Sequence, residues 1–359
     1  MFEFIKGGKN KFIGIDFGTS SIKVVELSYK NQRVYLDNYG IVDLNLEMQD
    51  RTQLIKNQSF EQKLNIALKK LLENMKITSG SAYISLPAFS GLITLIDLPE
   101  MKEDELGKAM QFEAHKYIPT SLDEVAMSWE TVKHQEGSSL AGSRGMLKVL
   151  LVAAPKREIE RYDRLIGGTG LEVSAIELET FPIARALVGD ETKTMLIIDI
   201  GARSTNMILV SDGTIHVNRT IDGGGSDVTS AISDSMSISK VRAESFKKGE
   251  KDILNSTQTP IIMPVLELIT NEAKRIIDAY TEKNKGAVVS QIVLSGGTSK
   301  MKGMVEYFTK SLSHVVVAGN PWKDIVIDPK VEPIIKSIGS SFSVSVGLAL
   351  RGVDDYKRK

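Results

Sequence analysis

No cysteine occurs among the 359 residues, which removes disulfides, thiolate metal ligands and thiol nucleophiles together. Histidine is scarce: His115, His134, His216 and His314 form no i, i+4 pair and have no second metal ligand nearby, so they read as surface or packing residues. Net charge is absent as well, because 45 Lys and Arg balance 45 Asp and Glu. No field is left to concentrate on a polyanion, and nucleic-acid binding is not expected. No apolar run approaches the roughly eighteen uncharged residues of a bilayer span, and the best stretch, MLKVLLVAAP at 146–155, is strand length. The opening MFEFIKGGKNKF is too soon interrupted by lysines to be a secretory signal. These absences predict a cytoplasmic chain that does not insert into a membrane. What remains is an ordinary globular composition, 42% apolar and 25% charged, long enough for two domains or one bilobed unit.

The most informative feature is an internal repeat. Residues 13–27 read IGIDFGTSSIKVVEL and residues 196–210 read LIIDIGARSTNMILV, an offset of 199 − 16 = 183. Ile15/Ile198, Asp16/Asp199, Gly18/Gly201 and Ser21/Ser204 are identical between the copies. Each copy is an apolar run ending in Asp, a Gly-containing turn and a second apolar run, the pattern of a β-hairpin with an acid at its tip. Strand-like segments RVYLDNYGIVDL (33–44) and TIHVNRTIDGGG (214–225) follow, so each half opens as a meander.

Between the copies, residues 61–75 have helical apolar spacing and SAYISLPA reads as a strand. The spacing predicts an amphipathic helix over 102–117, a Gly/Ser-rich hairpin loop or mobile flap at 137–145, the strand KVLLVAAP and a charged helix over 156–166 capped by Gly167 or Gly168. Strand EVSAIEL and helix FPIARALVG lead into the second copy. Beyond it, residues 227–248 and 261–285 read as helices, and VVSQIVLSGGTSKMKG as a strand, a glycine turn and a helix start.

A carboxylate at a hairpin tip beside a glycine turn suits water-mediated Mg²⁺ binding, because Mg²⁺ keeps several waters and needs few protein oxygens. The turns GTSS (18–21) and GARS (201–204) supply small residues, N–H groups and hydroxyls for phosphate oxygens. Lys23 adds a cation to the first tip, and Asn206 stands at the matching place in the second. GGGS (223–226) and LSGG (294–297) complete a four-part constellation.

These motifs resemble the phosphate and adenosine motifs of the actin-like ATPase superfamily, and SFSVSVGLALRG near the C-terminus resembles its second connecting helix. Within it, residues 85–125, DIGARSTNM (199–207) and GGGSDVTSAIS (223–233) are similar to the PilM family of type IV pilus assembly proteins, with Phe112 where that family's pattern leads us to expect Trp. The resemblance implies an α/β, actin-like (ribonuclease H-like) duplicated fold, two lobes around a nucleotide cleft, with an α+β subdomain inserted in lobe 1. Lobe 1 is expected to comprise 1–82, 166–190 and 336–359, and the partner-binding insert 83–165. Lobe 2 is expected to comprise 191–225 and 290–335, with a helical subdomain at 226–289.

By the same resemblance the cofactors are ATP and Mg²⁺. Asp16 and Asp199 are expected to act on the Mg²⁺ shell. Gly18, Thr19, Ser20 and Lys23 are expected to hold phosphates from one side, and Gly201, Ala202, Arg203 and Ser204 from the other. Gly223, Gly224 and Gly225 would line the far side of the nucleotide. Glu244 and Lys247 would reach the ribose, although their spacing suits a surface salt bridge equally. Gly296 and Gly297 would let adenine approach the backbone. Glu177 and Glu179, with Glu179 preferred, are candidates to orient an attacking water, and a carboxylate near a helix start is favoured by the helix dipole in any case. Hydrolysis is therefore expected to be slow or absent.

The implied partner is the N-terminal cytoplasmic peptide of PilN, a bitopic inner-membrane protein, docking beside the insert and holding the chain peripherally at the inner membrane. Other pilus components and self-association are left open, and Met101, Met110 and Met127 suit either core packing or a peptide groove. The alternatives are a filament-forming ATPase like FtsA or MreB and a small-molecule kinase of the same superfamily. The chain lacks a sugar-pocket acid motif for the kinase, and its ending GVDDYKRK is too short and polar for a membrane anchor of the FtsA type.

Overall fold

In the computed structural model, the described residues are 2–3, 11–44, 59–132, 146–189, 191–255, 261–284 and 286–358. The loop expected at 137–145 lies outside them.

Strong β-formers in alternating or continuous apolar runs build the first meander: β2 (Lys11–Phe17), β3 (Ser21–Lys30) and β4 (Arg33–Asp43), antiparallel throughout. Beyond β2, β5 (Gly80–Leu86) and β9 (Leu171–Leu178) add in parallel. β1 (Phe2–Glu3) closes one edge of this sheet and β15 (Ile325–Val326) the other. The second meander is β10 (Met195–Ile200), β11 (Ser204–Ser211) and β12 (Thr214–Asp222), extended in parallel by β13 (Gln291–Ser295) and β14 (Val316–Ala318). The order β4-β3-β2-β5-β9 therefore repeats as β12-β11-β10-β13-β14. The sequence repeat is a repeat of topology.

Helices cover both sheets. α1 (Phe60–Asn74) opens with a capping box between Ser59 and Gln62 and buries Leu64, Leu68, Leu71 and Leu72. α3 (Lys156–Ile166) sinks Ile159, Tyr162, Leu165 and Ile166 into the same core as Ile13 and Ile84. α4 (Thr180–Leu187) and the last helix, called α10 (Ser343–Lys357), pack together at the root of the two lobes. Glycine makes this approach close: a Cβ on Gly14 of β2 would overlap the Ser345 carbonyl, and one on Gly347 the Pro182 carbonyl.

The stretch Glu332–Lys357 contains a window of mean hydropathy 1.3 and meets the length and composition of a membrane span. It is divided at Gly339 between α9 (Glu332–Ile338) and α10, and residues such as Phe342, Val346 and Leu348 lie in the core beneath the first sheet.

The second lobe carries α5 (Gly225–Met236), α6 (Lys240–Lys247), α7 (Pro264–Lys283) and α8 (Met304–Leu312). The single helix expected over 227–248 is two, because Ser237 turns left-handed at φ 52° and ends α5. Pro264 starts the next one, as a residue without an N–H does at a first helical position.

The inserted sheet is antiparallel, β6-β8-β7, from β6 (Leu92–Pro99), β7 (Val125–Val132) and β8 (Met146–Pro155). α2 (Glu103–Ala114) covers it, burying Leu106, Met110 and Ala114 against Leu98 and Leu151. Three expected boundaries move. The boundary at 83 cuts β5, a central strand of the first sheet bonded on both sides. α3, placed in the insert by the expectation of 83–165, belongs to the first core. Ile325 and Val326, expected in lobe 2, pair with Val34 and Tyr35 of β4.

Candidate functional site

Antiparallel pairing places Asp16 opposite Lys23 at the tip of one hairpin and Asp199 opposite Asn206 at the tip of the other. Both aspartates are buried, 5% and 8% exposed. Lys23 Nζ stands 3.1 Å from Asp16 Oδ2, so the asymmetry between the hairpins is an ion pair on one side and an amide on the other. Burial pushes the Asp199 carboxyl up to about 6, with the Asp16 charge adding to it, while the neighbouring Ser295 hydroxyl and the Lys23 charge oppose. The two tips therefore face one another closely enough for their charges to interact.

Glu179 joins them at the start of α4. Burial pushes it up to about 7; the Ala88 N–H opposes that rise, and the charges of Asp16 and Asp199 add to it. Its Oε1 accepts from the Ala88 N–H at 2.9 Å and from Asn206 Nδ2 at 2.8 Å. Thr220 Oγ1 donates to Asn206 Oδ1 and fixes that amide's orientation. Glu177, the other candidate for orienting a water, does not join this group. Both of its oxygens are held by Arg185, at 2.9 and 3.0 Å, with Arg351 at 3.5 Å. A carboxylate gripped bidentately by one guanidinium and approached by a second is committed to that ion pair, which leaves Glu179 as the candidate at the facing tips.

The second hairpin turn is tied to the triple-glycine loop. Gly225 N–H donates to Gly201 O at 2.9 Å, Ser226 N–H to Ala202 O at 2.8 Å, and Thr205 Oγ1 to Gly223 O at 2.8 Å. Asp227 accepts from Gly224 N–H and caps α5, whose N-terminal end opens at this loop. Lys247 Nζ, buried, donates to Gly225 O and Thr229 Oγ1 and pairs with Glu244 at 2.6 Å. Burial lowers the Lys247 pKa against the Glu244 charge; burial would raise Glu244, but hydrogen bonds from Lys247 and Thr229 outweigh it and the net shift is downward. The pair is thus a strut under the glycine loop as well as a rim group.

Gly296 and Gly297 differ sharply. Gly296 has φ 86°, and a Cβ there would overlap the Ile200 carbonyl and stand 2.7 Å from its carbon. Gly297 has a helical φ of −63°, and its Cβ position meets nothing within 4 Å. The first is needed by the backbone, and the second leaves open space. Thr298 Oγ1 reaches Gly201 O at 3.4 Å, which links this turn to the second hairpin. Of the remaining candidates, Thr19 and Arg203 are exposed, and Gly18, Ser20 and Ser204 are half-buried at their turns.

The structure thus brings Asp16, Lys23, Asp199 and Glu179 together, and gathers Gly201, Ala202, Gly223–Gly225, Glu244, Lys247 and the 296–298 turn into one hydrogen-bonded wall. Ser295, Asn206 as the partner of Glu179, and the Ala88 N–H were not singled out in these roles by sequence. The apolar period of β13 hides Ser295, and a backbone N–H carries no sequence signal. Among the described residues, no group of three or more His, Asp or Glu side chains is arranged to hold an ion directly. Carboxylates set apart around one lysine suit a hydrated cation and a phosphate chain.

Residues 14–353 match the family model described as "Type IV pilus assembly protein PilM". The cell division protein FtsA of Enterococcus hirae is 21% identical over 335 residues, covering 82% of this chain and 75% of FtsA. Among solved structures, a PilM-PilN type IV pilus biogenesis complex is similar at TM-score 0.77 and 24% identity, covering 95% of this chain and 98% of that one. MreB5 of Spiroplasma citri bound to ADP is similar at TM-score 0.53 and 14% identity over 97% and 98%. These neighbours and the repeated topology make the fold actin-like, two lobes around a cleft, as expected from sequence.

Proposed function

This chain belongs to the PilM family of type IV pilus assembly proteins, and from that premise we propose that it is an ATP-binding actin-like scaffold working at the cytoplasmic face of the inner membrane. Its partner is the N-terminal cytoplasmic segment of a bitopic membrane protein of the PilN type, bound beside the inserted sheet. The observation that carries the nucleotide half is the meeting of Asp16 and Asp199 at facing hairpin tips with Glu179 beside them at the start of α4, burial holding Glu179 and Asp199 well above their ordinary pKa. Asp16 and Asp199, whose charges meet at the Lys23 ammonium, leave negative charge that a hydrated divalent cation would balance.

The residues fit Mg-ATP. The buried acids accept from a hydrated cation. The turns at 18–21 and 201–204 present N–H groups and hydroxyls to phosphates, and the open space at Gly297 leaves a face for a planar base. Bound Mg²⁺ would neutralise phosphate charge and Lys23 would share that work; Glu244 and Lys247 would hold the glycine loop and the ribose edge. Glu179 is already hydrogen-bonded through Oε1, so its second oxygen is the one available to orient a water, in keeping with slow turnover or none. The similarity to an ADP-bound MreB5 and to a PilM-PilN complex supports both halves of the reading.

The test is to load the protein with Mg-ATP, strip free nucleotide, denature and identify what stays bound. Intact ATP supports a scaffold that uses nucleotide as a clamp, ADP supports a working ATPase, and an empty site removes the nucleotide half. Binding of a synthetic PilN N-terminal peptide tests the other half. The chain is similar to FtsA over most of its length, and the alternative of a filament-forming ATPase is tested by Mg-ATP-dependent sedimentation.

A further inference from the structure

Glu179 occupies a position that its place at the cleft does not by itself require. It clasps the point where the chain leaves the first sheet for the insert. Its N–H donates to Leu86 O at 2.9 Å and its Oε1 accepts from the Ala88 N–H at 2.9 Å, so two hydrogen bonds bind residues 86–88 to residue 179. Ala88 is the first residue of a short 3₁₀ turn, Ala88–Ser90, that leads directly into β6. The next glycine is pressed on the same wall: a Cβ on Gly91 would stand 2.7 Å from Leu178 and from the Ala153 carbonyl. The same Oε1 also holds Asn206, directly opposite Asp199 in the second hairpin. β6 in turn lies against β12 of the second lobe.

We propose that Glu179 couples occupancy of the cleft to the position of the inserted sheet, because one carboxylate oxygen serves both the second hairpin, through Asn206, and the entry turn of the insert, through the Ala88 N–H. The proposal rests on the reading of the cleft as a Mg-nucleotide site. A water or hydrated cation taken up by the second oxygen of Glu179 draws charge from the carboxylate and turns it, which weakens the two hydrogen bonds on Oε1. The close approach of Leu178 to Gly91 and the bond from Glu179 N–H to Leu86 O fasten residues 86–91 on both sides of Ala88, so a turn of the carboxylate acts on the entry to β6. Coupling needs an element with two discrete arrangements that both sites bias, and in this proposal the Ala88 hydrogen bond, kept or surrendered, takes that role. By linkage, a partner peptide that fixes the insert would alter nucleotide affinity by the same factor that nucleotide alters peptide affinity. Glu179 acts here as a positioning residue.

The experiment follows amide exchange across residues 87–99 in the full chain, with and without saturating Mg-ATP, while bound nucleotide is quantified in the same samples. In the wild type, loading should change exchange in this segment by about fivefold or more, the scale of one hydrogen bond. Ala88→Pro removes the N–H alone. The position suits it, since Pro87 is already extended at φ −55°, ψ 141° and a first helical residue tolerates proline. This variant should bind nucleotide within a few-fold of wild type yet lose the nucleotide-dependent change in 89–99. Glu179→Ala, provided it is loaded, should lose it too. A change of undiminished size in loaded Ala88→Pro overturns the coupling, as does a nucleotide-loaded wild type with no change. Failure of the wild type to bind nucleotide overturns the site and the coupling together.

Discussion

Two adjacent glycines offer the sharpest perturbation. Gly296 sits at φ 86° with its Cβ direction blocked by the Ile200 backbone at the end of β10, which cannot yield without disturbing the hairpin that presents Asp199. Gly296→Ala combines a left-handed conformation costing about 1–2 kcal/mol for any residue with a Cβ and a backbone overlap of at least similar size, so a loss of about 3 kcal/mol or more is expected. Gly297 has helical dihedrals and an unobstructed Cβ direction. Gly297→Ala should therefore raise stability by about 0.4–1 kcal/mol through the unfolded chain. For a chain of this length that is roughly a 1 °C rise in Tm. Gly297→Trp should leave the fold intact while its ring fills the space assigned to the base, so that Mg-ATP is no longer retained. Denaturant unfolding followed by circular dichroism measures the first pair, and the retained-nucleotide assay the third. Wild-type stability in Gly296→Ala, or full ATP retention in Gly297→Trp, would refute the reasoning.

Asp16→Ala or Asp199→Ala should weaken Mg-ATP binding at least tenfold without unfolding the protein, as read by calorimetric titration; unchanged affinity in both removes the site. The raised carboxyls predict a pH effect of definite sign. With folded values near 7 for Glu179 and 6 for Asp199, against 4.5 and 3.8, the native state holds more protons than the unfolded chain across this window. Their contribution to stability is thus fullest below about pH 4 and is lost as pH rises to about 7. His216, whose pKa burial lowers, pulls the other way through the pH 6 region, so the quantity to compare is the Tm profile of nucleotide-free wild type against Glu179→Gln, which should be flatter. A steeper profile in the variant contradicts the assignment. Glu177→Ala removes the bidentate partner of Arg185, which keeps only the Gly347 carbonyl and Asp354, while Arg351 keeps Asp355, and should cost about 1–3 kcal/mol. A loss under 1 kcal/mol in denaturant titration would show that the ion pair is dispensable.

The hairpins were legible because a strand's alternation and a turn's glycine are local, and the duplication supplied a second, independent sample of the same pattern. α3 was legible to its end residues for a similar reason: Pro155 before it and Gly167 after it punctuate a period that Ile159, Tyr162 and Ile166 carry. The extent of the insert was less so. β5 reads like any short apolar strand, and only its pairing on both sides with β2 and β9 assigns it to the first sheet.

Glu177 and Glu179 make the same point for chemistry. Two residues apart and alike in sequence, they differ because Arg185 and Arg351 approach one of them from α4 and α10, while Asn206 and the Ala88 backbone approach the other. The partners of Glu177 come from 8 residues away and from the far end of the chain, and those of Glu179 from 91 and 27 residues away. No local pattern encodes such meetings. The sequence by itself determined the duplicated meanders, the acids at their tips and the glycines of the turns, since period, turn chemistry and self-similarity are properties of neighbours. Only the tertiary structure decided which carboxylate is paired with guanidinium groups and which with an amide and a backbone N–H, and where the insert is fastened, because burial and hydrogen bonding are set by residues that the fold, not the chain, makes adjacent.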